Sequence, residues 1–291
     1  MAGGLKEVKN RIVSVQSTIQ ITSAMKMVSA AKLRRAQDAV TKMRPYAEKL
    51  QEILANVSSS LDSSEGVYSA QRPLKNILVV AITSNRGLCG GFNNNIIKET
   101  NRILAENSNS NVHVLSLGKK AFDAFKATDA HFTDGFGDKP FGIFDDLSFP
   151  NASKIASTVM EQFSDGRWDA VHLVYNQFKN AAVQIVQREQ FLPAVPDESE
   201  EATTSNVDYI FEPSKEEIVN NIIPNSLKVQ LFKALLDSNA SEHGARMTAM
   251  HKATDNAKDL VGELKLQYNK ARQASITNEI LEIVAGAEAL N

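Results

Sequence analysis

The C-terminal part of the chain repeats apolar residues at intervals of three and four positions, from Val229 to Leu290, without a proline. This spacing predicts one long helix with a narrow apolar seam. The seam consists of Val229, Phe232, Leu236, Ala240, His243, Met247, Met250, Thr254, Ala257, Val261, Leu264, Tyr268 and Ala271. A seam this narrow needs a partner helix, because a single stripe of apolar side chains does not form a core by itself.

The N-terminus has the same spacing over two stretches and therefore supplies the partner. The positions are Leu5, Val8, Ile12, Val15 and Ile19, and then Leu33, Ala36, Val40, Met43, Ala47, Leu50, Leu54 and Val57. A helix over this range is about 80 Å long, and Pro45 is expected to bend it. Matched helices at the two ends of the chain predict an antiparallel coiled coil that carries an inserted domain.

The N-terminal seam is interrupted between its two stretches. Polar residues occupy the seam positions there, and the apolar residues move to another face: the polar set is Thr22, Lys26 and Ser29, and the apolar set is Ile21, Met25 and Val28. One interpretation is a local stutter in the coiled coil. The other, which we favour, is a second partner on the new face, since methionine offers adaptable apolar contacts.

The middle of the chain has the sequence pattern of an α/β domain. Residues 59–73 form a polar linker, and residues 74–195 alternate apolar strands with helices, which predicts an open, mostly parallel, Rossmann-like sheet. The predicted strands are 76–83, 112–117, 170–175 and an edge strand at 183–188; the predicted helices are 93–105, 119–126 and 155–162. An acidic linker at 196–213 leads to the C-terminal coiled-coil helix at 214–291, where Pro224 should introduce a kink. The N-terminal coiled-coil helix occupies residues 1–58.

Composition narrows the class of protein. A net charge of −2 over 291 residues argues against a nucleic-acid binder, and the single cysteine excludes an intrachain disulfide or a multi-cysteine zinc site. The N-terminus lacks the features of a signal or transit peptide, and no stretch approaches the roughly 20 apolar residues of a membrane span. We therefore expect any membrane association to pass through another protein.

The glycine-rich stretch 83–93 is the strongest candidate for enzyme chemistry, because it lies between a strand and a helix. A free helix N-terminus can hold phosphate. However, the stretch has neither a G-x-G-x-x-G nor a P-loop pattern, so a structural turn is favoured over nucleotide binding. Cys89 has no identifiable base beside it, and the five histidines lack metal-ligand spacing. We expect no catalytic residue, no cofactor and no metal site.

The end of the chain carries a dense polar run from Tyr268 to Glu279, followed by an apolar stripe. The stripe consists of Ile276, Ile280, Ile283, Val284, Ala287 and Leu290. Exposed apolar surface at a chain end is typical of a segment that another protein covers. This pattern predicts that the tip of the helix lies in a socket on a partner.

With these motifs in view, the chain resembles the gamma subunit of F-type ATP synthases over nearly its whole length. The resemblance rests on the segments 21–28 and 85–93 and most specifically on 268–277, Tyr-Asn-Lys-Ala-Arg-Gln-Ala-Ser-Ile-Thr. Two positions depart from the family pattern: Asn85 stands where aspartate is common, and Ser23 where a basic residue is frequent. The second departure leaves the charge of the first contact region open.

The resemblance implies a non-catalytic rotor shaft. Its coiled coil would enter a ring of three alpha and three beta subunits. Its globular domain would lie outside the ring with the epsilon subunit, and its foot would rest on the membrane-embedded ring of c subunits. Carried over by position, the contacts with the alpha/beta ring would be Met25, Lys26, Arg272, Gln273, Thr277 and Ile280. Tyr209 and Glu212 would lie near the c ring.

The same resemblance implies a peripheral protein on the cytoplasmic face of a bacterial inner membrane that forms no homo-oligomer. Two rival interpretations of the sequence stay open. A nucleotide-binding α/β enzyme with helical arms would bind ATP or NAD as an isolated chain, and a coiled-coil scaffold would form a stable homodimer by itself.

Overall fold

A computed structural model describes residues 2–58, 67–194 and 215–288. In chain order its elements are α1 (Ala2–Ser58), β1 (Asn76–Ile82), α2 (Phe92–Glu106), β2 (Asn111–Leu117), α3 (Lys119–Phe125), β3 (His131–Phe132), a 3-10 helix (Pro140–Phe144), α4 (Phe149–Ser164), β4 (Ala170–Phe178), β5 (Gln184–Leu192) and α5 (Lys215–Glu288). The two terminal helices are 57 and 74 residues long, far beyond the ~11 residues of an average globular helix.

Both long helices continue through their prolines. Pro45 lies inside α1 and Pro224 lies inside α5. Next to Pro45, Ala47 and Leu50 pack with Val229 of α5. This packing helps to hold the helix where proline removes a backbone hydrogen bond.

The described residues divide into two compact units. The first combines the part of α1 up to Ala30 with the part of α5 from Arg246 onward, and the second runs from Ala31 to Ala245. In the first unit, the Thr254 hydroxyl donates a hydrogen bond to Thr22 Oγ1 at 2.8 Å, so the two helices touch there.

The second unit contains a mixed five-stranded sheet in the order β3-β2-β1-β4-β5. β1 is parallel to both β2 and β4, and β3 is parallel to β2. β5 is antiparallel to β4 and forms an edge, where the sequence predicted an edge strand. The two-residue strand β3 was missed, because an apolar pattern this short carries no periodicity.

The central strand β1 is buried on both faces, as its continuous apolar run predicted. Alternate side chains point to opposite faces of a strand. Leu78, Val80 and Ile82 enter a core with α4 and α5. Ile77 and Val79 enter a second core with α2 and α3.

The predicted narrow seam on α5 is wrong for the part of the helix that lies in the second unit. Leu227, Leu231, Ala234 and Leu235 join the core on one face of the sheet. Val229, on another side of the helix, packs against α1. This part of α5 is therefore covered on several faces, because it packs against both the sheet domain and α1.

Candidate partner-binding surfaces

The first candidate surface, which we call the N-terminal patch, consists of Ile21, Met25, Lys26, Met27 and Val28 of α1. Ile21, Met27 and Val28 are 60, 65 and 57% exposed. Met25 and Lys26 are partly buried beside them. By helical spacing, Ile21, Met25 and Val28 share one face of α1 and Met27 lies on another. Large apolar side chains that the described part of the chain leaves uncovered are typical of a protein-binding surface.

The seam behind the N-terminal patch continues, and the predicted interruption is wrong. Thr22 and Ser29 are buried, at 8 and 3% exposure. Their hydroxyls donate to carbonyl oxygens of their own helix, Thr22 to Thr18 at 2.9 Å and Ser29 to Met25 at 2.7 Å. Small hydroxyl side chains can occupy seam positions when the preceding turn satisfies them. The apolar patch is thus an additional face, which favours a second partner over a stutter.

The second candidate surface, which we call the C-terminal patch, consists of exposed apolar residues in the last turns of α5. Ile276, Ile280, Leu281, Ile283 and Val284 are between 48 and 71% exposed. These five side chains give α5 an apolar end that the described residues of this chain do not cover. Their arrangement is the one expected of a helix tip that another protein surrounds.

Exposed polar residues lie just before the C-terminal patch. Arg272, Gln273 and Thr277 are exposed. The Thr277 hydroxyl donates to the Gln273 carbonyl oxygen at 2.9 Å, within the same helix. The Arg272 guanidinium and the Gln273 amide project from α5 next to an apolar surface, where they can make directional contacts with a partner.

The structure brings most of the predicted contact residues into the first unit. Met25, Lys26, Arg272, Gln273, Thr277 and Ile280 all belong to it. The predicted foot residues Tyr209 and Glu212 lie outside the described residues. The sequence analysis missed the exposed Leu266 and Leu281, because neither falls on the three-and-four spacing of its stripes.

The glycine-rich stretch is a closed strand-to-helix turn. Ser84 and Asn93 are buried, and the Ser84 backbone N–H donates to Asn93 Oδ1 at 2.9 Å. Asn93 Nδ2 lies 2.9 Å from Ser84 Oγ and 3.1 Å from Cys89 Sγ. The Asn85 side chain joins Lys119 N–H to the Phe141 carbonyl oxygen. These side chains form hydrogen bonds with one another and with neighbouring segments, as expected of a structural turn.

Cys89 belongs to the core beneath this turn. It is 1% exposed and packs with Phe92 and with Ala245 of α5. A buried thiol among apolar groups behaves as a small hydrophobic side chain. Among the described residues, no group of three or more His, Cys, Asp or Glu side chains could hold a metal ion.

Large pKa shifts occur inside the sheet domain. Burial, reinforced by Arg188, lowers the pKa of His172 to about 4. Burial also raises the pKa of Tyr175 far above its ordinary value, and the Tyr175 hydroxyl donates to Glu189 at 2.8 Å. Both groups lie on β4, and their burial in the sheet domain is the largest cause of each shift. No described helix is long and apolar enough to cross a membrane.

These features are typical of a subunit of a larger assembly: two very long helices, an α/β domain that lies between them in the sequence, and exposed apolar patches on both helices. Comparisons with known proteins agree. The family model described as ATP synthase matches residues 4–290. An ATP synthase gamma chain from Flavobacterium johnsoniae is 60% identical over 99% of both chains. One from Cytophaga hutchinsonii is 53% identical, again over 99% of both.

Solved structures of other proteins are also similar to this chain in fold. The central stalk and c-ring structure of Tetrahymena thermophila mitochondrial ATP synthase contains a chain that is 28% identical, with a TM-score of 0.58, covering 80% of this chain and 99% of that one. A rotor chain of Euglena gracilis mitochondrial ATP synthase shares the fold with a TM-score of 0.64 at 23% identity, over 95% of this chain and 100% of that one. The chain belongs to the ATP synthase gamma chain family.

Proposed function

We propose that this chain is the central rotor shaft of an F-type ATP synthase and that it is itself non-catalytic. In this function it couples proton flow through the membrane c ring to conformational change, and so to ATP synthesis or hydrolysis, in the alpha/beta ring. The observation that carries the proposal is the 60% identity, over 99% of both chains, with an ATP synthase gamma chain. Identity along the whole length includes the long helices as well as the sheet domain.

The shaft is an antiparallel coiled coil formed by the terminal helices, residues 1–58 and 214–291. The 2.8 Å hydrogen bond between Thr22 and Thr254 supports this pairing in the first unit. In the second unit, Arg44 approaches Asp237, and Asn225 donates a hydrogen bond to Tyr46. Within the second unit, Arg44 thus meets a later position of α5 than Tyr46 does, as expected of antiparallel helices. Linkers at 59–73 and 196–213 join the helices to the inserted Rossmann-like domain at 74–195.

The rotary mechanism follows from symmetry. A rod with different faces inside a ring of three alpha and three beta subunits contacts each catalytic subunit differently. If its contacts favour different nucleotide states, each rotation shifts those populations in turn, and by linkage nucleotide turnover drives rotation. The Met25, Lys26 and Arg272 side chains lie on the shaft where such contacts change with angle.

The two patches have distinct roles in this mechanism. The N-terminal patch meets the moving lobe of a beta subunit, which its exposed Ile21, Met27 and Val28 support. Gln273 and Thr277 form polar contacts that change with rotation. The tip from Ile280 onward turns in an apolar bearing made by the ring, since burial of its exposed side chains would be favourable.

The foot of the shaft rests on the c ring, next to Tyr209 and Glu212, and the sheet domain lies beside the epsilon subunit. The chain is therefore peripheral on the cytoplasmic face of the inner membrane of a bacterium, and its membrane association is indirect. It needs no cofactor or bound metal, because its task is mechanical.

Purification of the tagged chain under mild conditions tests the proposal. We expect alpha, beta, epsilon and c subunits to copurify, and a probe on the sheet domain to rotate when ATP is added to the complex. Equilibrium dialysis and light scattering of the isolated chain address the rival functions. Binding of ATP or NAD by the chain alone, or a stable homodimer without other subunits, would overturn the assignment.

A further inference from the structure

The C-terminal end of β4 is held by a charged side chain from each of the two long helices. Arg44 of α1 donates a hydrogen bond to the Phe178 carbonyl oxygen at 3.4 Å. The backbone of Phe178 lies beside the Asp237 carboxylate of α5 and helps to counteract the rise in its pKa. Arg44 Nη2 and Asp237 Oδ1 are 4.0 Å apart. The end of β4 is thus bound to α1 through Arg44, which faces a buried acid of α5, and we call Arg44, Asp237 and Phe178 the shaft node.

Asp237 is deeply buried, which makes its presence informative. Its side chain is 2% exposed, whereas the Arg44 side chain is 48% exposed. Burial raises the pKa of Asp237, and Arg44 and Lys233 counteract that rise. Neighbouring positions on α5, such as Leu235 and Leu236, are apolar. A buried acid with one half-exposed partner contributes little to stability compared with an apolar residue, and its best supported use is to fix register.

Gly244 supplies a second attachment on the same helix. A Cβ built on Gly244 would lie 3.2 Å from both the Cα and the carbonyl oxygen of Ala181, and 3.5 Å from Phe178 Cε2. The turn after β4 therefore lies directly against the α5 backbone. Gly244 is about two helical turns beyond Asp237, so both positions face the same side. Glycine is unfavourable inside a helix relative to alanine, and here it permits this close approach.

The two attachments differ in what they resist. The contact at Gly244 is a close steric fit, which opposes tilting of the domain against α5. The shaft node consists of one directional hydrogen bond and an ion pair, which fix the end of β4 at one position around the axis of the two helices. A third link, in which Gln230 donates to Glu189 at 2.7 Å, ties β5 to α5 nearby.

We infer that Asp237, by holding Arg44 beside Phe178, is a positioning residue that ties α1 to the sheet domain, which α5 already joins through the apolar core, so that a turning force on the domain reaches both helices without slip. This inference rests on the proposed rotor function, because only a rotor experiences such a force. Asp237 contacts no substrate and acts through the residues that it holds.

Single-molecule measurement of angular fluctuation in the assembled complex tests this role. A probe is attached to a cysteine introduced at the exposed Lys98 of α2, and rotation is arrested with a non-hydrolysable ATP analogue. We expect Asp237→Asn and Arg44→Gln each to raise the angular variance about 1.5-fold, because the shaft node is one of three attachments and its loss leaves about two thirds of the stiffness of the junction. The double variant should add little, since the two side chains act as one unit.

Asp123→Asn is the matched control, because it also converts a carboxylate to an amide. Asp123 lies on α3 and forms an exposed ion pair with Lys126, which directly follows that helix. It should leave the variance unchanged. Unchanged variance in assembled Asp237→Asn and Arg44→Gln complexes would overturn the inference. Loss of the chain from the complex in both variants would also overturn it, because the node would then serve folding. If the wild-type probe does not rotate on addition of ATP, the rotor function itself fails.

Discussion

Replacing Gly118 with alanine tests a tight contact inside the sheet domain. Gly118 connects β2 to α3 and lies against Thr83, which directly follows β1. Gly118 precedes α3 with φ 148° and ψ 134°, a conformation open essentially to glycine. A Cβ at this position would lie 2.2 Å from the Thr83 carbonyl oxygen and 2.3 Å from Thr83 Oγ1. Thr83 is completely buried, so it has no free space into which to move.

The expected cost follows from what the added methyl group displaces. The Thr83 N–H donates to the Leu117 carbonyl oxygen at 3.1 Å, and Thr83 Oγ1 accepts from the Ala121 N–H at 2.9 Å. Losing both hydrogen bonds costs about 2 kcal/mol. The strained backbone adds about 1–3 kcal/mol, and the lower entropy of the unfolded alanine chain returns about 0.4–1 kcal/mol. We expect Gly118→Ala to destabilise the sheet domain by about 2–5 kcal/mol.

The single tryptophan makes this change measurable in the full chain. Trp168 is 2% exposed in the core of the sheet domain, so its fluorescence reports unfolding of that domain in urea. Gly137→Ala is the matched control, because Gly137 has φ 71° but no atom within 4 Å of an added Cβ. Its cost should be about 1 kcal/mol, from backbone conformation alone. If Gly118→Ala lowered the urea midpoint no more than Gly137→Ala does, the steric argument would be refuted.

Three further predictions concern the patches and the sheet. Met25→Lys should alter proton pumping per ATP while the complex still assembles, because a cation enters an apolar contact; unchanged pumping in reconstituted vesicles would contradict this. Deletion from Ile280 onward should weaken copurification of the alpha/beta ring, since each buried Ile or Leu contributes ~1.5–3 kcal/mol; a complex of full stability would count against the bearing. Protonation of His172 should destabilise the sheet domain in acid. The folded pKa is about 4, whereas the unfolded chain takes up the proton near pH 6.5, so stability should fall by at most about 3 kcal/mol as pH decreases through this window. His172→Gln should flatten this pH dependence in urea titrations; persistence of the full effect would assign it to other groups.

The local pattern of apolar and polar residues was sufficient to predict those elements whose surroundings can be recognised from their own residues. The run Asn76–Ile82 is apolar at every position after the first, and such a strand can only lie in the middle of a sheet covered on both faces. The three-and-four spacing likewise predicted the two terminal helices. The prolines at 45 and 224 did not end these helices, because packing from other parts of the chain outweighs the loss of single backbone hydrogen bonds.

Sequence reasoning failed where burial depends on a distant partner. Thr22 and Ser29 looked like an interruption of the seam, yet both are buried. Thr22 receives its additional hydrogen bond from Thr254, 232 positions away. Threonine and serine are compatible with either environment, so their residue types do not reveal which one they occupy. The exposed Leu266 and Leu281 were missed for the complementary reason, since an apolar residue type does not require burial.

The sequence by itself determined the periodicities of this protein, and with them the two long helices, the central strands and the motifs of the ATP synthase gamma chain family. Periodicity is a property of neighbouring residues, so it can be recognised from the sequence alone. Only the tertiary structure decided that α5 is buried on several faces, that polar residues complete the seam, and that Asp237 meets Arg44 and Phe178. These features arise from groups far apart in the chain, whose meeting depends on how complete elements pack.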